Sequence, residues 1–292
     1  MKNSFVINAP AKINLHLGIG ARRQDGFHSI ESIFLALSLC DTLEIEVDFE
    51  NCSGETRITL NSEELPCQFA KELNEIKPEA NLAFKAAEHF RKKTGFNAAL
   101  DITLIKRIPA GAGLGGGSSD AASVLKVLGS FFPELALHPM AAALGSDTPF
   151  FLDTGAAKVS GRGEILNRIY FEPLKLVVLK PEFSSATARA YALFDSSGIC
   201  PVKPAPVPLR SLKNPFPYTN DFLRVFLEYG EPEERRVYAK ALAALYNAGA
   251  QFASVSGSGS ACFGVFKEHE QALRAAALLK TEWPFVVNCD SI

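Results

Sequence analysis

The sequence predicts a two-unit α+β fold, and three observations lead to this prediction. Apolar and polar residues alternate at residues 43–49 and 100–104, the period of half-buried strands. Stretches with apolar positions at helical spacing separate and follow these strands. The last third of the chain orders helix, hairpin, helix and strand, as in a small α+β sandwich. For 292 residues we therefore expect two domains, 1–160 and 161–292, with the boundary near residues 155–175.

Two helices are expected in the first domain. Asn81 can cap a helix that carries Leu82, Ala86, Ala87 and Phe90 on one face, and Gly95 follows its basic end. Ser118 or Ser119 is predicted to begin a second helix, and Phe131-Phe132-Pro133 is predicted to end it. The second helix directly follows a glycine-rich segment.

The second domain is predicted from one buried strand and a later run of elements. The strand is Leu176-Val177-Val178-Leu179, and the prolines of residues 201–217 indicate a loop or linker. The run comprises helices at 234–246 and 269–280 and strands at 252–255, 262–266 and 285–287.

Composition excludes several classes of protein. Thirty Lys and Arg residues against thirty-two Asp and Glu give a net charge of -2, so no global field attracts nucleic acid or an anionic membrane. No apolar run approaches the ~18 residues of a membrane span, and the N-terminus lacks signal-peptide character. We expect a cytoplasmic protein with neither a nucleic-acid nor a membrane partner.

Cysteine and histidine spacing indicates neither a disulfide scaffold nor a metal site. The six cysteines form no C-x-x-C pair, and the five histidines show no ligand spacing with Cys or Glu. We therefore expect free thiols and no structural zinc.

The strongest local signal is a segment with five glycines in seven residues, which leads directly into a predicted helix. It consists of Pro109, Ala110, Gly111, Ala112, Gly113, Leu114, Gly115, Gly116, Gly117, Ser118 and Ser119. Unhindered backbone N–H groups and a helix N-terminus favour an anion, with phosphate the natural ligand. The serines can serve as caps, phosphate donors or magnesium contacts. A glycine-rich turn that only allows close packing is the alternative.

Other glycine motifs fit this segment less well. Its G-x-G-x-x-G spacing matches a dinucleotide fingerprint, but a helix stop follows at Pro133 where a second strand would be needed. No Gly-Lys-Ser/Thr triplet closes it as in a Walker loop, and the chain has no G-x-S-x-G nucleophile elbow.

Three ordered segments resemble the motifs of the GHMP kinases. They are Pro10-Ala11-Lys12-Ile13-Asn14-Leu15, the glycine-rich segment and Ser256-Gly257-Ser258-Gly259-Ser260. Within that superfamily, further segments are similar to the 4-diphosphocytidyl-2-C-methyl-D-erythritol kinase family of the non-mevalonate isoprenoid pathway. They are Asp25-Gly26-Phe27-His28-Ser29-Ile30, Glu79-Ala80-Asn81-Leu82, Leu144-Gly145-Ser146-Asp147-Thr148-Pro149-Phe150-Phe151 and Gly161-Arg162-Gly163-Glu164-Ile165-Leu166.

The resemblance implies a fold and a reaction. The N-terminal domain would be of the ribosomal-protein-S5-domain-2-like α+β type, and the C-terminal domain a ferredoxin-like α+β sandwich. The reaction would transfer the γ-phosphoryl group of ATP, with Mg²⁺, to the 2-hydroxyl of the cytidine diphosphate-linked methylerythritol. Asp147 matches the family's catalytic base, and Lys12 matches the lysine that holds this base ionised and stabilises developing oxygen charge. A helix cap at Asp147 and a surface charge at Lys12 are the alternatives.

The resemblance also implies binding residues. Asn14, Phe27, His28, Gly257 and Ser258 match substrate-binding positions, and the family more often has Tyr where this chain has Phe27. Asn81 and the glycine-rich segment match the nucleotide side, and Lys106, which precedes that segment, could reach a phosphate. The alternatives are an ordinary half-buried histidine for His28, a helix cap for Asn81 and a solvated strand end for Lys106.

Two other functions are compatible with the motifs. A GHMP kinase for another small alcohol would keep Lys12, Asp147 and the glycine-rich segment but would not need cytidine. A catalytically silent sensor on the same scaffold would not need a base, so the presence of both Lys12 and Asp147 favours an enzyme.

Overall fold

The structure is a computed structural model that describes residues 1–199 and 218–292. The chain forms two compact units. Unit 1 comprises Met1–Ala11, Leu39–Ala110 and Gly115–Thr154, and unit 2 comprises Lys12–Ser38, Gly111–Leu114 and Gly155–Ile292. The domain ranges expected from the sequence stay a prediction. The loop or linker expected at residues 201–217 lies outside the described residues.

Two long strands contribute residues to both units. They are β1, Lys2–Arg22, and β2, His28–Asp48, and they pair with each other. The β1 residues from Ala9 to Ile19 are all buried. The predicted alternation after Leu43 is confirmed, although β2 ends at Asp48, one residue before Phe49.

Unit 1 combines short strands with helices. After β1 and β2 its elements are β3 Thr56–Asn61, α1 Cys67–Asn74, α2 Leu82–Thr94, β4 Ala99–Ile105, α3 Gly116–Gly129, α4 Leu137–Leu144 and α5 Phe150–Asp153. β4 pairs antiparallel with residues 42–48 of β2 and parallel with β3. The β4 strand and the α2 helix are confirmed at their predicted places.

The unit 1 core is built from the predicted apolar faces. Ala86, Ala87 and Phe90 of α2 are fully buried, as are Val124 and Leu125 of α3. Each fully buried large apolar side chain contributes about 1.5–3 kcal/mol relative to exposure. The packing of α2 against α3 therefore fixes the helix that follows the glycine-rich segment.

Unit 2 contains a four-stranded antiparallel sheet. Its strands are β7 Lys175–Lys180, β8 Phe252–Val255, β9 Cys262–Phe266 and β10 Phe285–Asp290, in the order β10-β7-β9-β8. Its helices are α6 Thr187–Ser196, α7 Asp221–Tyr229, α8 Pro232–Asn247 and α9 His269–Leu279. This order, with one hairpin and helical crossovers, is the ferredoxin-like arrangement that the resemblance implies.

A further pair of strands in unit 2 extends from β2. They are β5, Ala156–Ser160, and β6, Ile165–Ile169. β5 pairs antiparallel with residues 32–35 of β2, and β6 pairs antiparallel with β5.

Two findings concern the described residues alone. None of their helices is long and apolar enough to cross a membrane. The five cysteines among them, Cys40, Cys52, Cys67, Cys262 and Cys289, are free thiols.

Candidate active site

Lys12 lies on β1 and is part of a buried hydrogen-bond network that extends to Ser32 on β2. Its Nζ atom donates to Asn14 Oδ1 at 2.5 Å, and Asn14 Nδ2 donates to Ser32 Oγ at 2.9 Å. Ser32 Oγ in turn donates to the carbonyl oxygen of His16 at 2.5 Å. This network fixes the Asn14 amide with its oxygen toward the Lys12 ammonium group. Lys12 is only 3% exposed, so its interpretation as a surface charge is wrong.

The first part of the glycine-rich segment is joined to β1 and to the loop at residues 256–260. Lys12 N donates to the carbonyl oxygen of Leu114 at 2.9 Å, and Ser256 Oγ donates to that of Gly113 at 2.8 Å. Ser260 N and Ala261 N donate to carbonyl oxygens at positions 111 and 112. These bonds hold the two glycine-bearing loops in direct backbone contact.

Gly113 occupies a position that only glycine fits. Its φ of 72° lies in the left-handed region, and a Cβ there would overlap the carbonyl oxygen of Ser256. The carbonyl oxygen of Gly259 would lie 3.0 Å from the same Cβ. Close packing is therefore a confirmed role for this glycine, and phosphate binding by the segment stays a prediction.

The loop at residues 256–260 is supported by Asn220, which the sequence analysis did not identify. Asn220 Nδ2 donates to the carbonyl oxygens of Val255 and Gly257 at 2.8 and 3.0 Å. Its Oδ1 accepts from the backbone of Phe222 and caps α7. The Asn-Asp pair before an apolar helix is a cap signal that sequence reasoning could have used. The link to the distant loop leaves no such signal.

Ser258 in that loop contacts Thr187, which the sequence did not lead us to assign to the site. Its Oγ atom lies 2.9 Å from Thr187 Oγ1, at the start of α6, and Ser258 is buried. The two hydroxyls can exchange donor and acceptor roles, so the pair can turn a donor or an acceptor toward a ligand.

His28 is buried between protein partners. Its Nδ1 atom lies 2.9 Å from the carbonyl oxygen of Gly20, and its Nε2 atom lies 2.9 Å from Asp195 Oδ1. Its ring stacks on Tyr191, with centroids 5.5 Å apart. The alternative of an ordinary histidine accounts for these contacts, and the base-edge contact stays a prediction. Asp195 and Tyr191 were missed because both lie more than 160 positions away.

Phe27, by contrast, presents its ring to solvent. The side chain is 57% exposed, and the Arg162 guanidinium lies 5.1 Å from the ring centroid. An exposed ring with a cation on it is a surface on which a nucleobase can stack.

The second part of the glycine-rich segment forms the start of α3 in unit 1. The helix begins at Gly116, and Gly115 at its N-cap has a φ of 73° and makes no side-chain cap. The prediction that Ser118 or Ser119 begins or caps the helix is therefore wrong, because a left-handed Gly115 starts the first turn earlier. The first N–H groups of α3 lack intrahelical acceptors and can bind an anion.

Asn81 lies close to this helix start. Its Oδ1 accepts from Ala83 N at 2.9 Å, which confirms the predicted cap of α2. A Cβ on Gly117 would lie 3.4 Å from the Leu82 side chain, so the first turns of α2 and α3 are neighbours. The cap explains Asn81, and its contact with a nucleotide stays a prediction.

Asp147 lies in the turn between α4 and α5 and is partly exposed. The N-cap position of α5 is Pro149, so Asp147 does not occupy it. A Cβ on Gly145 in the same turn would lie 3.3 Å from Thr148 Oγ1 and 3.9 Å from Ser118 Oγ. The turn that carries Asp147 therefore adjoins the first turn of α3.

Lys106 lies in a buried ionic cluster rather than at a solvated strand end. Its Nζ atom donates to the carboxylates of Asp41 and Asp120, the latter at 2.6 Å. All three side chains are buried, and we call them the Asp41–Lys106–Asp120 cluster. Burial alone would lower the pKa of Lys106, but attraction to the two carboxylates outweighs it and raises that pKa. A phosphate contact of Lys106 stays a prediction.

Asp120 is the carboxyl group of this cluster whose pKa is raised. Burial raises its pKa to about 7, although the charge of Lys106 opposes the shift. The raised pKa favours the protonated form of the Asp120 carboxyl.

No ready-made metal centre occurs in the parts of the chain that the structure describes, 1–199 and 218–292. They contain no group of three or more His, Cys, Asp or Glu side chains that could hold an ion.

Replacing Gly113 by Ala should destabilise the protein more than the same change at Gly249. Both glycines have positive φ, but nothing lies within 4 Å of a Cβ on Gly249. Gly249→Ala therefore measures backbone strain alone, about 1–3 kcal/mol, and Gly113→Ala adds the overlap with the Ser256 carbonyl. Urea unfolding of both variants gives the difference, and equal losses would contradict the close approach.

Stability should depend on pH through Asp120. The pKa of Asp120 is raised on folding, so its stabilising contribution is complete below about pH 4 and is lost as the pH rises to about 7. The free energy of unfolding of the wild type, minus that of Asp120→Asn, should fall across this range. Urea unfolding at several pH values tests this, with Asp101→Asn at an exposed ion pair as the control. A difference that stays constant or rises would contradict it.

Two family models match parts of this chain. Residues 81–155 match the model of the GHMP kinases N-terminal domain, and residues 220–284 match that of the GHMP kinases C-terminal domain. These ranges contain the start of α3, the Asp147 turn and the loop at residues 256–260.

Relatives of similar length carry the same name. The 4-diphosphocytidyl-2-C-methyl-D-erythritol kinase of Treponema pallidum (strain Nichols) is 35% identical, with 98% of each chain covered. That of Prosthecochloris aestuarii is 36% identical, with 96% of this chain and 95% of the relative covered. A crystal structure of 4-(cytidine 5'-diphospho)-2C-methyl-D-erythritol kinase superposes with a TM-score of 0.81 at 30% identity, covering 99% of this chain and 100% of the other.

The two-unit α+β fold, the matched domains and the near full-length relatives lead to the same assignment. The GHMP kinases are ATP-dependent small-molecule kinases, so this chain is such an enzyme. The chain belongs to the GHMP kinases and, within them, to the 4-diphosphocytidyl-2-C-methyl-D-erythritol kinase family.

Proposed function

We propose that this chain transfers the γ-phosphoryl group of ATP to the tertiary 2-hydroxyl of 4-diphosphocytidyl-2-C-methyl-D-erythritol, in isoprenoid precursor biosynthesis. The names of its relatives support this acceptor. One geometric observation carries the chemistry: the turn that holds Asp147 adjoins the first turn of α3. A carboxylate beside an anion-binding helix start suits proton removal next to a bound phosphate.

The transfer requires a base and a source of positive charge. As the acceptor oxygen attacks the γ-phosphorus, Asp147 accepts the hydroxyl proton and the bond from γ-phosphorus to the bridging oxygen breaks, releasing ADP. Lys12 supplies positive charge to oxygen atoms that become more negative in the transition state. Its bond to Asn14, which is itself fixed by Ser32, keeps the ammonium in one place. Catalysis then rests on positioning and charge stabilisation.

The nucleotide binds at the glycine-rich segment in this proposal. The first N–H groups of α3 contact phosphate oxygens, and Pro109 to Leu114 line the approach to the helix. Asn81 lies beside it through the neighbouring first turns of α2 and α3. Lys106 contributes to this side of the site through its buried bonds to Asp41 and Asp120.

Magnesium enters with the nucleotide, as MgATP. In phosphoryl-transfer enzymes Mg²⁺ is held mainly by substrate phosphates, waters and one or two carboxylates. Ser118, in the first turn of α3, would contact the ion through its hydroxyl group. The ion neutralises phosphate charge when it is bound.

The acceptor is selected through its cytidine group. Phe27 offers an exposed ring for stacking, and without a phenolic hydroxyl it adds no hydrogen bond there. His28 contacts the base edge, while Gly257 and Ser258 of the loop at residues 256–260 face the substrate phosphates, with Asn14 contacting the substrate. We place the enzyme in the cytoplasm, as a monomer or homodimer.

Asp147→Asn should retain nucleotide binding and lose turnover, because it keeps the shape of the side chain and removes the base. The loss should be ~10²–10⁴-fold in kcat. ADP release measures turnover, and calorimetry with a non-hydrolysable ATP analogue measures binding. Asp153→Asn, an exposed carboxylate of α5, is the matched control and should leave both unchanged. Turnover near that of the wild type in Asp147→Asn would contradict the proposed base.

Phe27→Ala should weaken binding of the cytidyl substrate alone. Loss of a stacking contact of about 1–3 kcal/mol raises the substrate KM by about five- to a hundredfold and leaves the KM for ATP unchanged. Tyr170→Ala removes another exposed aromatic ring of unit 2 and should change neither constant. An unchanged KM for the cytidyl substrate in Phe27→Ala would refute the stacking role.

A further inference from the structure

The glycine-rich segment is held at both ends by one buried ionic cluster. On the side that precedes the segment, Asp41 Oδ1 accepts from the backbone N–H groups of Arg107 at 2.6 Å and Ile108 at 2.9 Å. On the side that follows it, Asp120 in the second turn of α3 accepts from Lys106 Nζ at 2.6 Å. Lys106 also binds Asp41, so the three side chains connect the two ends of the glycine-rich segment.

The cluster lies directly against the first residue of α3. A Cβ on Gly116 would lie 3.4 Å from Asp41 Oδ2 and 2.9 Å from the Ile108 side chain. The helix start therefore packs on the same carboxylate that binds Lys106. A shift of this carboxylate would shift the N–H groups at the helix start.

A glycine-rich segment needs such a restraint. Glycine loses more conformational freedom on folding than any other residue, so five glycines in seven positions do not define one orientation by themselves. Anion binding by a helix start depends on N–H groups that already point at the ligand. Fixing both ends of the segment provides this orientation.

The composition of the cluster indicates a role other than stability. Burying three charged groups costs desolvation energy that their attraction often fails to recover, and apolar replacements can be neutral or stabilising. Within the described residues, Asp120 Oδ1 is buried without a hydrogen-bond partner, so the cluster is not fully satisfied. Stability alone therefore does not account for the ionic composition of the cluster.

We propose that Asp41 and Asp120, acting through Lys106, are positioning residues that hold the first turn of α3 in the orientation that binds the nucleotide phosphates. The inference rests on the proposed function in one respect, that the nucleotide binds at this helix start. Lys106 then serves the nucleotide side of the site without touching a phosphate.

Three variants test the cluster. Asp120→Ala and Lys106→Met break it, and Asp120→Asn keeps an oxygen that can accept from Lys106. Asp101→Ala is the matched control, because Asp101 lies on β4 in an exposed ion pair with Arg57, away from the helix start. Calorimetry with magnesium and a non-hydrolysable ATP analogue gives Kd, and steady-state assays give KM for each substrate and kcat.

The two breaking variants should raise the Kd of the ATP analogue and the KM for ATP by about tenfold, comparable with losing one charge-assisted hydrogen bond. The KM for the acceptor and kcat should change by less than about threefold. Asp120→Asn should recover most of the affinity, and Asp101→Ala should bind like the wild type. A purely structural role would instead change the KM for ATP and the KM for the acceptor together.

Two results would overturn the inference. One is a folded Asp120→Ala or Lys106→Met protein whose analogue Kd lies within twofold of the wild-type value. The other is a loss of affinity for both substrates in proportion to a loss of stability.

If the single variants do not fold, the double variant Lys106→Met, Asp120→Leu replaces the buried pair by apolar groups. We expect the same rise of about tenfold in its Kd for the ATP analogue. The Kd measurement needs no acceptor. A wild-type protein that binds the analogue but does not phosphorylate the cytidyl substrate would therefore refute the proposed acceptor, while the variants would still decide the positioning role.

Discussion

The close contact of two backbone loops is the constraint on which the rest of unit 2 depends. Gly111–Leu114 and residues 256–260 approach so closely that position 113 has no room for a Cβ. This contact requires the hydrogen bond from Ser256 Oγ, the support of Asn220 under the loop and the bond from Lys12 N to Leu114. The backbone of the catalytic lysine proposed here is thus fixed by the same contact that orders the glycine-rich segment.

The two lysines among the predicted site residues are buried, and each is held by side-chain partners. Lys12 binds an amide whose orientation is set by Ser32, and Lys106 binds two carboxylates. Such groups are costly to bury, and they leave few alternative positions for their neighbours. In the proposed function this rigidity would serve phosphoryl transfer, which depends mainly on positioning.

Local patterns predicted much of the fold. Alternation identified parts of β2 and β4, and the cap at Asn81 identified α2, because these signals lie within a few residues of one another. β1 was missed since Pro10 argues against a strand, and α3 was started too late because Gly116 is a poor helix former. The motifs selected Lys12, but its buried chain through Ser32, the Asp195 partner of His28 and the Asp41–Lys106–Asp120 cluster depend on residues that are distant in sequence, which no local pattern encodes.

The most direct test of the proposed function is ADP release by the purified protein with MgATP and one acceptor at a time. The four acceptors are 4-diphosphocytidyl-2-C-methyl-D-erythritol, homoserine, galactose and mevalonate. We expect release with the cytidyl compound alone. Release with a different alcohol would keep the kinase and contradict the proposed substrate. Silence with all four acceptors, in a protein that binds ATP, would contradict the proposed function and favour a sensor on the same scaffold.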